Sequence, residues 1–405
     1  MSALRDGGAL IAAAGVLALL LPLPGIRRTE AVRAAGLVAL VLGGALVLAS
    51  LVPGDDARNA VESLGSPARA VAAVVAVLVA IAVLVIAVRA VVARPTVWFV
   101  LLAIALPIRL PITVGSLEAN LLVPLYAVIA LGVVAWIWAR LRGRVPVAYS
   151  GPAMLNVPLA AFTAFLLVSV LWTTDGDEAG IKTACFYVPF VILYALVLAW
   201  WPHARALAAL VIVTLAGGVI AAVMALWQFQ VGELWWNDTL QQANVYSQFF
   251  RVNGFFFDPN ILGRYLAIGI IGALAVAWTR RRGWELAVLA GAAAIMAAGL
   301  FVTYSRSSTL MLMIGIALLA GRAVGARRAF AVAAVLLVVI GGITFAASSN
   351  VRHAATSTER LERVSEGRFD LMRGGLTIWR ESPVMGTGLG SFAHEFEDTL
   401  TEAER

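Results

Sequence analysis

Residues 206–230 read ALAALVIVTLAGGVIAAVMALWQFQ, an apolar run without one Asp, Glu, Lys or Arg. About 20 apolar residues in a helix cross the hydrocarbon core of a bilayer, so this run is long enough to span. Similar runs lie on both sides of it. Across 405 residues the chain is 61% hydrophobic and only 13% charged, and its mean hydropathy is +0.92. Those values exclude a soluble globular class. A membrane barrel would show short alternating strands, whereas continuous apolar runs satisfy their backbone polar groups as helices. The early run 9–23 resembles a signal peptide, but it lacks a clear small-residue cleavage site and many runs follow it, so it reads as the first helix.

Working outward from 206–230, the sequence predicts an all-α, polytopic transmembrane helical bundle of about twelve spans. They are 8–24, 34–52, 69–89, 96–113, 120–139, 152–172, 183–201, 206–230, 260–279, 285–303, 308–321 and 329–347. Pro107 and Pro111 break the fourth, and the eleventh is short. The loops alternate in charge. One set holds Arg27, Arg28 and Arg33; Arg89 and Arg94; Arg140, Arg142 and Arg144; Arg205; Arg280, Arg281 and Arg282; and Arg322, Arg327 and Arg328. The other set holds Asp55, Asp56 and Glu62; Asp175, Asp177 and Glu178; and the 231–259 connection. By the positive-inside rule the first set is cytoplasmic. The N-terminus and an outward-facing C-terminal loop segment then lie outside, which predicts a multi-pass protein of the bacterial plasma membrane.

Three regions follow: N-terminal transmembrane helices over 1–150, a transmembrane core over 151–347, and an extracytoplasmic loop segment over 348–405. In the last, Phe369, Met372, Leu376 and Trp379 recur at helical spacing and predict one amphipathic helix, ended by Ser382-Pro383. Lys182 is the only lysine, and the Ala, Gly, Val and Arg usage looks like a GC-rich bacterial coding bias. Cys185 is alone, so no intramolecular disulfide or cysteine-based metal site is available, and a small buried residue in a helix is expected. The net charge of +7 and pI near 10.1 come mostly from arginines in short loops. That is the membrane-orientation pattern rather than a nucleic-acid footprint.

In a chain this apolar, each ionisable residue near a span needs a reason. Arg251 heads Arg251-Val-Asn-Gly-Phe-Phe-Phe-Asp-Pro-Asn260, and Arg306 lies in Thr303-Tyr-Ser-Arg-Ser-Ser308. Both flank helices on the predicted outer side, where the positive-inside rule disfavours Arg. Snorkelling to the interface would account for either alone. A guanidinium fork also matches phosphate oxygens, and a lipid-linked pyrophosphate is an anion of that depth. Asp258 and Pro259 are helix-start residues. Asn260 and Arg264 share one helix face, beside an N-terminus whose free N–H groups favour anions. Trp235, Trp236 and Tyr246 fit an interfacial aromatic belt, or stacking against sugar rings.

Other features suggest less. Asp175, Asp177 and Glu178 read as a hydrated loop. Gly386-Thr-Gly-Leu-Gly390 follows no strand and reads as a tight turn rather than a nucleotide loop. His203, His353 and His394 have no metal-ligand spacing, and no cofactor is expected. His394 is the candidate general base, against the plain reading of a surface histidine.

Together these pieces resemble the O-antigen ligase and O-antigen polymerase superfamily of bacterial membrane glycosyltransferases. The segments that carry the resemblance are Leu171-Trp-Thr-Thr-Asp175, Arg251 to Asn260, Tyr304-Ser-Arg-Ser307, and Arg368 to Trp379 running into Ser382-Pro-Val-Met-Gly-Thr-Gly-Leu-Gly-Ser-Phe392. It covers roughly residues 150–396. The resemblance implies inverting, metal-independent transfer of an undecaprenyl-diphosphate-linked oligosaccharide to a glycan or lipid acceptor on the outer face of the membrane, in cell-envelope polysaccharide biosynthesis. Arg251 and Arg306 match its basic positions, which hold the donor diphosphate, and Arg264 could join them. The family's base is a His late in the outer loop, usually followed by Asn. This sequence reaches Arg405 without His-Asn or closing helices, so a C-terminally incomplete chain with its base beyond the end is expected, and slow transfer with it. The competing readings are a lipid-linked glycan flippase or transporter and an inactive truncated membrane protein. Transporters usually carry acidic or His residues deep in their spans, and the span centres here lack charge.

Overall fold

The computed structural model of the protein describes residues 2–21, 29–51, 67–114, 117–143, 152–200, 203–235, 237–246, 249–280, 282–325 and 368–403. In chain order these form α1 (Ser2–Leu20), α2 (Thr29–Leu51), α3 (Pro67–Ala93), α4 (Pro95–Ala105), β1 (Leu110–Val114), β2 (Leu117–Leu121) and α5 (Val123–Leu141). After them come α6 (Ala153–Val168), α7 (Gly176–Lys182), α8 (Val188–Ala199), α9 (Ala204–Val231) and α10 (Asp238–Tyr246). The last described helices are α11 (Pro259–Ala277), α12 (Gly283–Val302), α13 (Arg306–Val324), α14 (Arg368–Glu381) and α15 (Phe392–Ala403). Among the described residues, 8 helices are long and apolar enough to cross a membrane, and a ninth is added if Leu78–Ala93 and Pro95–Ala105 are counted together. The expected twelfth span, 329–347, lies outside the described residues, and the short eleventh is the apolar helix Arg306–Gly321.

Two expectations are corrected. The fourth span, 96–113, is not one helix. The helix ends at Ala105, and after Pro107 the chain forms an antiparallel hairpin, pairing Leu110 with Leu121 through to Val114 with Leu117. A proline inside a helix removes a hydrogen bond and clashes with the preceding turn; two of them four residues apart leave no stable helix between. Among the described residues the fold is therefore helical with one two-stranded ribbon. The acidic stretch 175–178 is not a loop either. Asp175 caps α7, its side chain accepting from Glu178 N–H at 3.0 Å, and Asp177 and Glu178 occupy the first turn, where the helix dipole favours acids.

The chain divides into two compact units. The first comprises residues 1–95, 129–201 and 353–405. Its α1 and α2 pack through glycines seven residues apart on each helix. A Cβ on Gly8 would lie 2.8 Å from the Gly43 carbonyl, and one on Gly15 would lie 2.7 Å from the Gly36 carbonyl. Lipid gives apolar helices little hydrophobic reason to associate, so close backbone approach supplies the attraction. Between α6 and α7 a 3₁₀ turn covers Ser169–Trp172, and a π-turn over Thr183–Tyr187, holding buried Cys185, joins α7 to α8. At the end of α5, Arg140 and Arg142 lie over the Trp136 and Trp138 rings, a pairing suited to a membrane interface.

The second unit comprises residues 96–128 and 202–352. Here α9, α11 and α12 enclose a core of Ala221, Ala222, Ala225, Leu262, Leu266, Met296 and Leu300. Met296 fills the space that Gly218 and Gly269 leave, its sulfur 2.6 and 2.7 Å from where their Cβ atoms would stand. At 28 residues α9 is about 42 Å long, which exceeds a hydrocarbon core of about 30 Å. It ends on Gly232 at φ 77°.

Candidate functional site

The second unit carries a polar cluster built on the connection between α10 and α11. Irregular backbone at membrane depth persists only where its polar groups find protein partners. Three carboxamides supply them. Gln228 of α9, fully buried, donates to the Gly254 carbonyl at 3.0 Å and accepts from its N–H at 2.7 Å. Asn244 of α10 does the same for Arg251, at 2.9 and 3.0 Å. Asn237 donates to the Phe257 carbonyl at 2.7 Å. Gly254 sits at φ 58°, where any side chain would be strained. The connection is therefore pinned on both sides of the aromatic triplet.

Arg251 projects from this pinned backbone toward the turn between α12 and α13. Its Nε donates to the Thr303 carbonyl at 3.3 Å, and Nη2 donates to Asn260 Oδ1 at 3.3 Å. Asn260 Oδ1 also accepts from Ser305 Oγ at 2.9 Å, and Ser305 Oγ lies 2.8 Å from Ser308 Oγ. Of the five guanidinium N–H groups, three remain uncommitted among the described residues. Tyr304 holds a left-handed φ of 52° and stacks on Phe249 at 4.8 Å. That conformation costs a non-glycine residue roughly 1–3 kcal/mol, and such strain gathers at functional sites.

Ser305 caps α13, and Arg306 is the helix's first residue, exposed three positions beyond the carbonyl that Arg251 touches. The structure thus brings the Arg251 side chain to the turn that carries Arg306. Asp258 caps α11 as its sequence suggested, accepting from Asn260 and Ile261 N–H at 2.6 and 3.3 Å. Arg264 is exposed one turn further along α11, without a hydrogen bond or ion pair among the described residues. Trp235 is exposed and packs edge-on against Trp227 at 5.4 Å. Tyr246 is almost wholly exposed, and Trp236 lies outside the described residues.

His394 belongs to the first unit. It is exposed on α15 with Nδ1 3.4 Å from Asp398 Oδ2, a carboxylate able to orient the ring. His353 lies outside the described residues. The expected amphipathic helix is α14, ending at Glu381 before Ser382-Pro383. The glycine-rich stretch after it is a turn, with Gly386, Gly388 and Gly390 at φ 65°, 99° and 93°. It docks on the end of α6. Thr173 Oγ1 donates to the Leu389 carbonyl at 2.6 Å and lies 2.9 Å from Ser391 Oγ, which accepts from Thr174 N–H at 3.2 Å. Two of the four stretches that carry the resemblance, 171–175 and 382–392, are therefore one contact, and the other two, around Arg251 and Arg306, are another.

Residues 291–404 match the family described as O-antigen ligase. That match supports assignment of this stretch to the O-antigen ligase superfamily. The match takes in the end of α12, the Arg306 turn and the docked α14–α15 segment, while Arg251, Asn260 and Arg264 precede it. It supports a glycosyl-transfer role in O-antigen assembly by a polytopic membrane protein. No curated protein and no solved structure matches the chain.

The clamping amides Gln228, Asn237 and Asn244 escaped the sequence reading, as did the role of Asn260 as acceptor for both Arg251 and Ser305. A signal existed for Gln228. A polar side chain within an apolar span usually faces the protein interior and marks a partner there.

Proposed function

We propose that the chain transfers a glycan from an undecaprenyl-diphosphate-linked donor to a glycan or lipid acceptor, as ligase or polymerase, on the outer face of the bacterial plasma membrane. The observation that carries this reading is Arg251: a half-buried guanidinium on a pinned backbone, three N–H groups uncommitted among the described residues, at the turn that bears Arg306. Donors fixed in advance toward developing charge are usually the largest catalytic contribution. In this reading the acceptor hydroxyl attacks the anomeric carbon as the bond to the diphosphate oxygen breaks, and the configuration inverts. Arg251 and Arg306, with Arg264, hold the diphosphate and stabilise its gathering charge. The hydroxyl proton passes to a general base. Trp235, Trp236 and Tyr246 supply stacking surfaces for sugars. No metal takes part.

The test is reconstitution of the full chain in liposomes with a lipid-diphosphate-linked oligosaccharide donor. Replacing a single positioned donor of this kind costs about 10²–10³ in rate, so Arg251→Ala is expected to lose that much. Arg251→Lys is expected not to recover it, because a lysine lacks the planar fork. Transfer at the parent rate by both variants would remove the basis of the proposal.

A further inference from the structure

The amphipathic helix α14 packs one face and leaves another bare. Toward α15 it presents Gly374, Gly375 and the buried Ile378: Gly374 faces the Phe396 ring, and a Cβ on Gly375 would lie 3.5 Å from Phe392. At 3.6 residues per turn, Met372, Leu376 and Trp379 form a second stripe, about 120° round the helix from that face. All three are exposed, Met372 by 74% and Trp379 by 57%, and the exposed Val384 and Met385 continue the apolar surface beyond the helix end. Arg373 and Arg380 edge the stripe, exposed and without an ion pair among the described residues. The acids Glu395 and Asp398 stand on α15, which covers the packed face.

Position says what such a surface meets. The glycine turn after α14 is wedged where two candidate spans join, Ala153–Trp172 and Gly176–Ala199. A Cβ on Gly388 would lie 2.5 Å from Thr173 Cα and 3.0 Å from the Ser169 carbonyl, and one on Gly390 would lie 2.8 Å from the Ala179 nitrogen. A connection between two spans stands at a membrane surface, where headgroup layers add about 10–15 Å in all to a hydrocarbon core of about 30 Å. Met385 is three residues from Gly388, at most about 11 Å away when fully extended. Leu171 and Phe165, at the end of the first span, are exposed in the same way. The stripe therefore begins within headgroup reach of a lipid-facing surface. Arginines at its edge and a tryptophan within it are the side chains of a helix that lies in an acidic lipid interface.

We infer that α14 lies in the headgroup layer of the membrane, with Met372, Leu376 and Trp379 toward the acyl chains and Arg373 and Arg380 on the phosphates of acidic phospholipids. The contact needs only that Thr173 stand at a membrane surface. It presses the α14–α15 segment against the bilayer at the level of the span ends.

The experiment uses the full chain in a Cys185→Ala background, in nanodiscs of phosphatidylcholine mixed with phosphatidylglycerol. Nitroxide labels go on Met372→Cys, Leu376→Cys and Trp379→Cys, and, on the third face of the helix, on Thr377→Cys and Glu381→Cys. All five positions are exposed, so packing against α15 is kept. Collision with oxygen and with a water-soluble nickel chelate is read by electron spin resonance. The oxygen-to-nickel ratio is expected to be several-fold higher at 372, 376 and 379 than at 377 and 381. It is expected to fall at 376 in pure phosphatidylcholine, and in Arg373→Gln with Arg380→Gln. Equal ratios at all five positions would overturn the inference, because the stripe would then face water. Stripe labels that are immobile and shielded from both reagents would also overturn it, since protein, a second copy or another segment of this chain, would cover the stripe. A ratio unchanged by loss of the acidic lipid and of both arginines would overturn the assignment to acidic headgroups.

Discussion

Gln228 and Gln241 perform the same local chemistry at different degrees of burial, and that makes them a matched pair. Each bridges a backbone N–H and a backbone carbonyl: Gln228 at Gly254, and Gln241 at Leu234 N–H and the Gly232 carbonyl, at 3.1 and 3.2 Å. Gln228 and Gly254 are buried, whereas Gln241, Gly232 and Leu234 are half-exposed. Gln228→Leu keeps much of the side-chain volume and strands two buried backbone groups. At about 1–3 kcal/mol each, the loss is roughly 2–6 kcal/mol. Gln241→Leu frees groups that water can reach, and only the small net value of each bond is lost, about 1 kcal/mol in all. Equilibrium unfolding in mixed micelles reads the totals. Hydrogen exchange reads the site itself: a loss of 2 kcal/mol makes the Gly254 amide exchange about 30-fold faster. Equal costs for the two variants, or an unchanged Gly254 amide in Gln228→Leu, would refute the claim that buried carboxamides hold this connection.

Three further outcomes are expected. Arg251→Ala should reach the membrane at close to the parent level while losing transfer, since a half-buried interfacial Arg adds little to stability; immunoblotting beside the transfer assay checks this. In a Cys185→Ala background, Thr173→Cys with Ser391→Cys should oxidise to a disulfide. Adding Gly388→Ala should abolish it, because a Cβ there would stand 2.5 Å from Thr173 Cα at a φ of 99°; mass spectrometry of the peptides reads the bond. Single cysteines at Arg142 or Arg282 in the same background should resist an impermeant thiol reagent applied from outside, and strong labelling would sink the proposed orientation.

Much of the fold was legible because lipid makes a simple demand. Long apolar runs, helix starts at Asp258-Pro259 and a stop at Ser382-Pro383 each follow from local rules, and the structure carries them. The first strand of the hairpin, 110–114, was read as the end of a proline-broken span because apolar composition alone does not separate strand from helix in a short segment. The acids at 175–178 were misread as a loop because capping depends on where the next helix begins. The paired glycines of α1 and α2 were visible as a seven-residue spacing, but a spacing on one helix does not name its partner.

The sequence by itself determined a helical membrane protein, the places where helices begin, and the short list of arginines that lipid would not tolerate without cause. Only the tertiary structure decided what those arginines meet. Asn244 and Arg251 are neighbours in the chain, yet Arg251 and Thr303 are separated by α11 and α12, and Thr173 and Ser391 by most of the second unit. The physical reason is that a span's length and polarity are local quantities, whereas a hydrogen bond between two turns depends on how the helices between them pack.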